Sequence, residues 1–270
     1  MPLSALLLAL TAAFVHALWN LLLARAPDTR AATAVALVVA VVAFAPVTAV
    51  VWEAEASVWP YLIASSCLQL TYFALLSAAY TRAELSLVYP LARGSAPVIV
   101  LLGGIAFLGA GASAAQVAGV LLVATGVVLV RGSAPRRGVA FALAIGSVIA
   151  AYTLVDKRGI RHASPVTYLE LTMIAPSLAY ALAVVRAKGL GAVRSAVSRQ
   201  TVVAGLATFG AYALVLAALQ RASAASVAAV RETSVVIAAL LATPLLGERV
   251  GRARIAGACL VAAGVAALAR

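Results

Sequence analysis

The sequence predicts an all-α integral membrane protein of ten transmembrane helices, built as two inverted five-helix repeats. Three observations carry this. Of 270 residues, 65% are hydrophobic and 10% charged, against about 45–50% and about 25% in a soluble domain. Runs such as 31–51 are apolar on every face, whereas a surface helix of a soluble protein keeps a polar side. The third is a glycine register that recurs between the two halves of the chain.

A hydrocarbon core of about 30 Å takes about 20 apolar residues in a helix. Ten stretches approach that length: 2–24, 31–52, 58–80, 85–108, 114–130, 138–155, 166–185, 201–219, 224–246 and 251–269. They are too long for transmembrane strands, and lipid leaves only helices or a closed barrel to satisfy the backbone. The first stretch lacks a basic start and reads as a helix, not a signal peptide. The fifth and tenth are short or charged at one end, so they tilt less or sit partly at the interface. The gaps are short apart from 186–200, which reads as a loop.

The repeat follows from laying the fifth stretch over the tenth. Gln116-Val117-Ala118-Gly119 falls on Arg254-Ile255-Ala256-Gly257, and Gly126 falls on Gly264. The same offset pairs Gly109 with Gly247 and Arg93 with Arg231, while Trp19 pairs with Tyr152 nearer the start of each half. The units are 1–134 and 135–270. Five helices per unit turn the second over in the membrane, as in many secondary transporters, whose substrates bind near the midplane between repeats. The glycines, seven apart on one helix face, suit close helix packing or a homodimer contact.

Twenty Lys and Arg against eight Asp and Glu give a net charge of +12. In a soluble protein that would point to nucleic acid. Here the basic residues fill the gaps between apolar runs, as membrane anchors do. No nucleic-acid partner is expected; the partners are the lipid bilayer and a small-molecule substrate. The loops after the odd-numbered stretches carry 13 Lys and Arg and the others 5, so positive-inside bias puts both termini outside, in conflict with the cytoplasmic termini implied by the family resemblance described below; the orientation stays open. No P-loop, histidine–glutamate metal motif or nucleophile elbow is present. Cys67 and Cys259 lie in apolar runs and suggest neither a disulfide nor a metal site. The expectation is a protein that is not an enzyme, with no catalytic residue, metal or cofactor.

The candidate site lies where polar groups interrupt the apolar runs. In the fourth stretch Ser86, Pro90, Arg93 and Pro97 share a face. The prolines free the carbonyls four residues back and predict a helix break there, and Tyr89 sits beside them. An arginine at this depth is costly, so a functional reading is the default, with a structural ion pair as the plain alternative. The ninth stretch carries Arg231-Glu232-Thr233-Ser234, with Arg231 the mate of Arg93. Two guanidiniums suit a carboxylate, phosphate or phosphonate; Glu232 would pair with them or take a substrate amine. His16, Trp19 and Asn20 share a face of the first stretch, and His16 is a candidate for proton coupling. Ser65, Gln69 and Tyr72 form a stripe in the third, Thr208 and Tyr212 in the eighth, and Tyr152 lies in the sixth. All of these serve equally well as helix–helix glue. Asp156 and Lys157 are expected at the interface, and Glu170 in a structural role.

The segment Leu246-Gly247-Glu248-Arg249, followed by Ala256-Gly257 and Ala263-Gly264, with Ala17-Leu18-Trp19-Asn20 and Ala151-Tyr152-Thr153 opening the halves, resembles the EamA-type members of the drug/metabolite transporter superfamily. The first half departs from the pattern: Leu108-Gly109-Ala110-Gly111 lacks a counterpart of Glu248. The resemblance implies a secondary transporter, often an exporter, with a central cavity between helices one, three, four, six, eight and nine, in a bacterial plasma membrane. It fixes no substrate. The expected cargo is a small anionic or zwitterionic metabolite. The competing readings are a multidrug cation exporter, a flippase for lipid or lipid-linked sugar, and an intramembrane enzyme.

Overall fold

The structure, a computed structural model, describes residues 1–82, 85–131, 138–246 and 252–269. Among these it is helical throughout, with one 3₁₀ turn at Ala56–Val58 and an isolated bridge between Ala54 and Ala163. The helices are α1 (Leu3–Ala24), α2 (Thr29–Val50), α3 (Trp59–Arg82), α4 (Leu85–Leu108), α5 (Ala114–Arg131), α6 (Val139–Gly159), α7 (Pro165–Ser195), α8 (Arg199–Arg221), α9 (Ala224–Arg231), α10 (Thr233–Leu246) and α11 (Arg252–Ala269). Seven are long and apolar enough to cross a membrane, and α5 and α11 contain shorter apolar stretches.

Their starts are set locally. Asp28 Oδ1 accepts from the amides of Arg30 and Ala31, Ser164 caps α7 ahead of a proline, and Ser198 and Thr201 form a reciprocal cap on α8. Each cap satisfies backbone donors that a helix start leaves open.

Three expectations are corrected. The gap at 186–200 is not a loop: α7 runs on to Ser195, bent at Gly189, whose φ of 80° is open to glycine without strain. Helix α4 is continuous through Pro90 and Pro97, because a long helix tolerates the loss of one bond per proline when its neighbours hold it. The break lies in the ninth stretch instead. There Glu232 N donates to the Ala229 carbonyl (3.1 Å) and Val235 N to that of Glu232 (3.0 Å), a single 3₁₀ turn that separates α9 from α10. Thr233 Oγ1 donates to the Val230 carbonyl at 2.8 Å.

The helix ends collect on two faces. On one, the Met1 amino group donates to the Leu268 carbonyl, Arg158 reaches the Phe107 carbonyl, Gln116 reaches Ser223, and 53–55 pair with 162–164. This is the terminal face. On the other, Gln200 Nε2 donates to the Leu22 carbonyl (2.5 Å) and Lys188 pairs with Asp28 (2.6 Å).

The glycine register has a direct use. A Cβ on Gly119 would lie 2.9 Å from the Gly264 carbonyl oxygen, and one on Gly126 would lie 2.6 Å from that of Gly257. Helices α5 and α11 therefore cross antiparallel, backbone on backbone, and this glycine face is covered within the chain.

Candidate functional site

One cavity of about 640 Å³ enters the bundle. Its mouth is lined by Ala24, Pro27, Asp28, Thr29, Arg30 and Lys188, so it opens at the face opposite the termini. Asp28 and Lys188 bridge that mouth; the bond from Lys188 and those from the α2 amides hold the Asp28 carboxyl below its ordinary range.

At the inner end stand Arg93 of α4 and Arg231, the last residue of α9. Both are buried, at 5% and 4% exposure. Behind them lies Glu232, 1% exposed and absent from the cavity wall. Its Oε1 meets Arg93 Nη1 at 3.2 Å and Arg231 Nε at 3.7 Å. Arg231 ends α9 and Glu232 is its C-cap residue. Two cations thus share one anion, and both guanidiniums also face open space.

His16 Nε2 contacts Arg93 Nη2. A guanidinium has only donors, so this ring nitrogen is the acceptor and His16 is neutral in this arrangement. Asn20 Nδ2 donates to the His16 carbonyl at 2.8 Å, and Trp19 packs edge-on to the imidazole at 4.8 Å between centroids. The Trp19 indole N–H is buried in the wall without an acceptor. Tyr72, Tyr152 and Tyr212 form an edge-to-face ladder, with centroids 6.4 and 6.2 Å apart.

Over residues 136–270 the sequence matches the family model of the EamA-like transporter family. The chain belongs to that family. This makes it an integral, multi-pass membrane transporter of the drug/metabolite kind. No curated protein matches the chain. A solved crystal structure superposes on 97% of this chain and 94% of its own, with a TM-score of 0.76 and 17% identity. At that identity the likeness speaks for the fold alone.

Of the residues singled out in the sequence, this EamA-like chain brings His16, Trp19, Asn20, Gln69, Tyr72, Arg93, Tyr152, Tyr212 and Arg231 to one cavity wall. Glu232 stands behind the wall, and Pro97 is buried in α4 away from it. The side chains of Tyr89 and Pro90, and residues 247–251 of the family-like segment, lie outside the described residues. Ser65 is not in the cavity wall; it donates to Asp156 on α6, the helix whose Tyr152 meets Tyr72.

Two points of the sequence reading are corrected. Helices α2 and α7 also line the cavity, through Thr33 and Leu37 on one and Leu169, Met173, Ser177 and Tyr180 on the other. Nor is the Asp156–Lys157 pair interfacial. Asp156 is fully buried among three hydroxyls, while Lys157 Nζ donates to the Leu219 and Ala222 carbonyls at the end of α8. Position near a helix end suggested solvent; the packing of α7 and α8 over that end removes it.

Proposed function

We propose that this EamA-like protein is a secondary transporter of a small anionic or zwitterionic metabolite, working by alternating access between two inverted units, 1–134 and 135–270. The observation that carries the anion reading is the pair of buried guanidiniums in the cavity wall with a single carboxylate behind them. That set has surplus positive charge on its open side, and guanidiniums suit the planar oxygens of carboxylate or phosphate. The wall's buried indole donor also asks for an acceptor. Glu232 behind the wall is held by the arginines and Asp28 at the mouth is paired with Lys188, which disfavours a multidrug cation exporter.

The repeat is supported by contacts that come in mirrored pairs. Helix α1 packs on α8 as α6 does on α3, and α4 packs on α6 as α9 and α10 do on α1. The α5–α11 crossing is its own mirror image, and the family model matches one half of the chain. The cavity opens at the face whose loops carry 13 of the 20 basic residues. Positive-inside bias makes that face cytoplasmic, which fits loading for export from a bacterial plasma membrane.

The test is ligand-dependent thermal stability of purified protein against amino acids, dicarboxylates, phosphate, phosphonates and drug cations. A ligand at 100 times its dissociation constant raises stability by about 2.7 kcal/mol. Stabilisation by anions or zwitterions that disappears in Arg231→Ala supports the reading; stabilisation by cations alone overturns it.

A further inference from the structure

The arginine site leaves one fully buried carboxylate without a role. Asp156 lies three residues before the end of α6. Its Oδ1 accepts from Ser65 Oγ (2.6 Å) and Tyr168 OH (2.9 Å), and its Oδ2 from Tyr212 OH (2.5 Å). The donors belong to α3, α7 and α8, so one carboxylate ties four helices together. The cluster lies toward the terminal face, the end at which the cavity is closed. No Lys or Arg among the described residues forms an ion pair with it, and the adjacent Lys157 is turned to the end of α8. Tyr212 is both a donor to Asp156 and part of the cavity wall. A single side chain therefore separates the carboxylate from the cargo space.

We propose that Asp156 is the transporter's proton-binding site, and that proton binding there is coupled to occupancy of the arginine pair and to release of the closed end. The coupling rests on the anion reading above; the proton site does not. Charge balance motivates it. Arg93 and Arg231 contribute two positive charges, Glu232 one negative, and His16, as acceptor from Arg93, none. An ionised Asp156 brings this buried set to neutrality. An anion of one net negative charge arriving on the guanidiniums leaves one surplus negative charge in a medium where unbalanced charge is costly. A proton on Asp156 cancels it.

The structural consequence follows from hydrogen-bond capacity. The carboxylate only accepts, whereas the acid has one oxygen that must donate. One of the three hydroxyl bonds then reverses or breaks, and α6 loosens from α3, α7 or α8 at the closed end. The groups that face Asp156 are Ser65 from α3, Tyr168 from α7, Tyr212 from α8 and, through charge, Arg231 at the end of α9; Arg93 stands on α4, which packs on α6, and Tyr152 lies on α6 itself. Glu170 on α7 is the other buried carboxyl to consider. It is absent from the cavity wall, and its buried Oε2 has no donor, in contrast to the three hydroxyls on Asp156.

The test uses the full chain reconstituted in lipid. Infrared difference spectra between acid and alkaline samples, without ligand, should contain in wild type one protonated-carboxyl component, beyond those of the other seven acidic side chains, that is missing in Asp156→Asn. Tyr212→Phe removes one donor to the ionised form, so its band should persist and appear at a higher pH. Wild-type and Asp156→Asn spectra that are identical in the protonated-carboxyl region overturn the proton site. Calorimetry with phosphate, succinate and glutamate as probes, in two buffers of different ionisation enthalpy, then counts protons. Wild type should take up about one proton per anion where Asp156 starts ionised, and Asp156→Asn none. Binding without proton uptake in wild type overturns the coupling. If no probe binds, the anion reading falls and the coupling with it, while the infrared band still decides the proton site.

Discussion

Replacing Glu232 by Gln keeps the shape of the side chain and removes the one negative charge that two guanidiniums share. The contacts are at 3.2 and 3.7 Å, and at an effective dielectric near 20 each is worth about 4–5 kcal/mol of attraction. Against that stands the desolvation of a carboxylate that is no longer needed, several kcal/mol in the same units. The expected net loss is about 3–5 kcal/mol, as for other buried pairs that lose one partner. For a chain of this size that corresponds to a fall in unfolding temperature of about 10 °C. The same change strips the arginines of their counter-charge. Added anion should therefore restore more stability to Glu232→Gln than it gives wild type, and bind about tenfold tighter if only 1.4 kcal/mol of the loss is recovered. The assay is thermal unfolding of purified protein with and without phosphate or succinate. A variant as stable as wild type, with no greater response to anion, would refute the shared-carboxylate account.

Other substitutions probe the remaining parts. Arg231→Ala should abolish anion-dependent stabilisation, while Arg231→Lys, which keeps the charge but not the fork, should retain a weakened response in the same assay. Gly126→Ala places a Cβ 2.6 Å from the Gly257 carbonyl oxygen and should cost about 1–3 kcal/mol by overpacking, seen in thermal unfolding. Lys157→Met leaves the carbonyls of Leu219 and Ala222 without their donor; a loss of about 1–3 kcal/mol is expected, with anion binding intact by calorimetry. At the mouth, the Asp28 carboxyl is held below its ordinary value of 3.8, first by the bond from Lys188. Its contribution is present above that value and lost as the pH falls below it. The pair is one-third exposed, so the loss should stay under about 1 kcal/mol. Hydrogen exchange at the start of α2 should rise over that range in wild type and be raised throughout in Asp28→Ala.

Much of the fold was legible because lipid imposes simple rules on sequence. Apolar length marks the spans, and basic residues mark the gaps. The glycines at 119, 126, 257 and 264 marked a backbone approach, though not that the two faces would meet each other. Arg93 and Arg231 stood out because charge is rare in such runs, and both line the cavity. Other features were hidden for physical reasons. The break at Glu232 has no proline or glycine to announce it, and the residue there pairs with Arg93, 139 residues away. Pro90 and Pro97 announced a break that packing suppresses. Asp156 looked interfacial because position along a helix says nothing of what covers its end. The parts of the wall from α2 and α7 were unreadable since Thr33, Leu37, Met173 and Ser177 look like ordinary lipid-facing or packing residues.

The most direct test of the central claim is solute counterflow in proteoliposomes. Vesicles loaded with the anion that best stabilises the protein are diluted into a trace of the same labelled compound. Transient accumulation of label in wild-type vesicles, absent with Arg231→Ala and in empty liposomes, is the predicted result. Accumulation that is undiminished in both Arg93→Ala and Arg231→Ala, or found only with cationic drugs, would contradict the assignment of this cavity to anion transport.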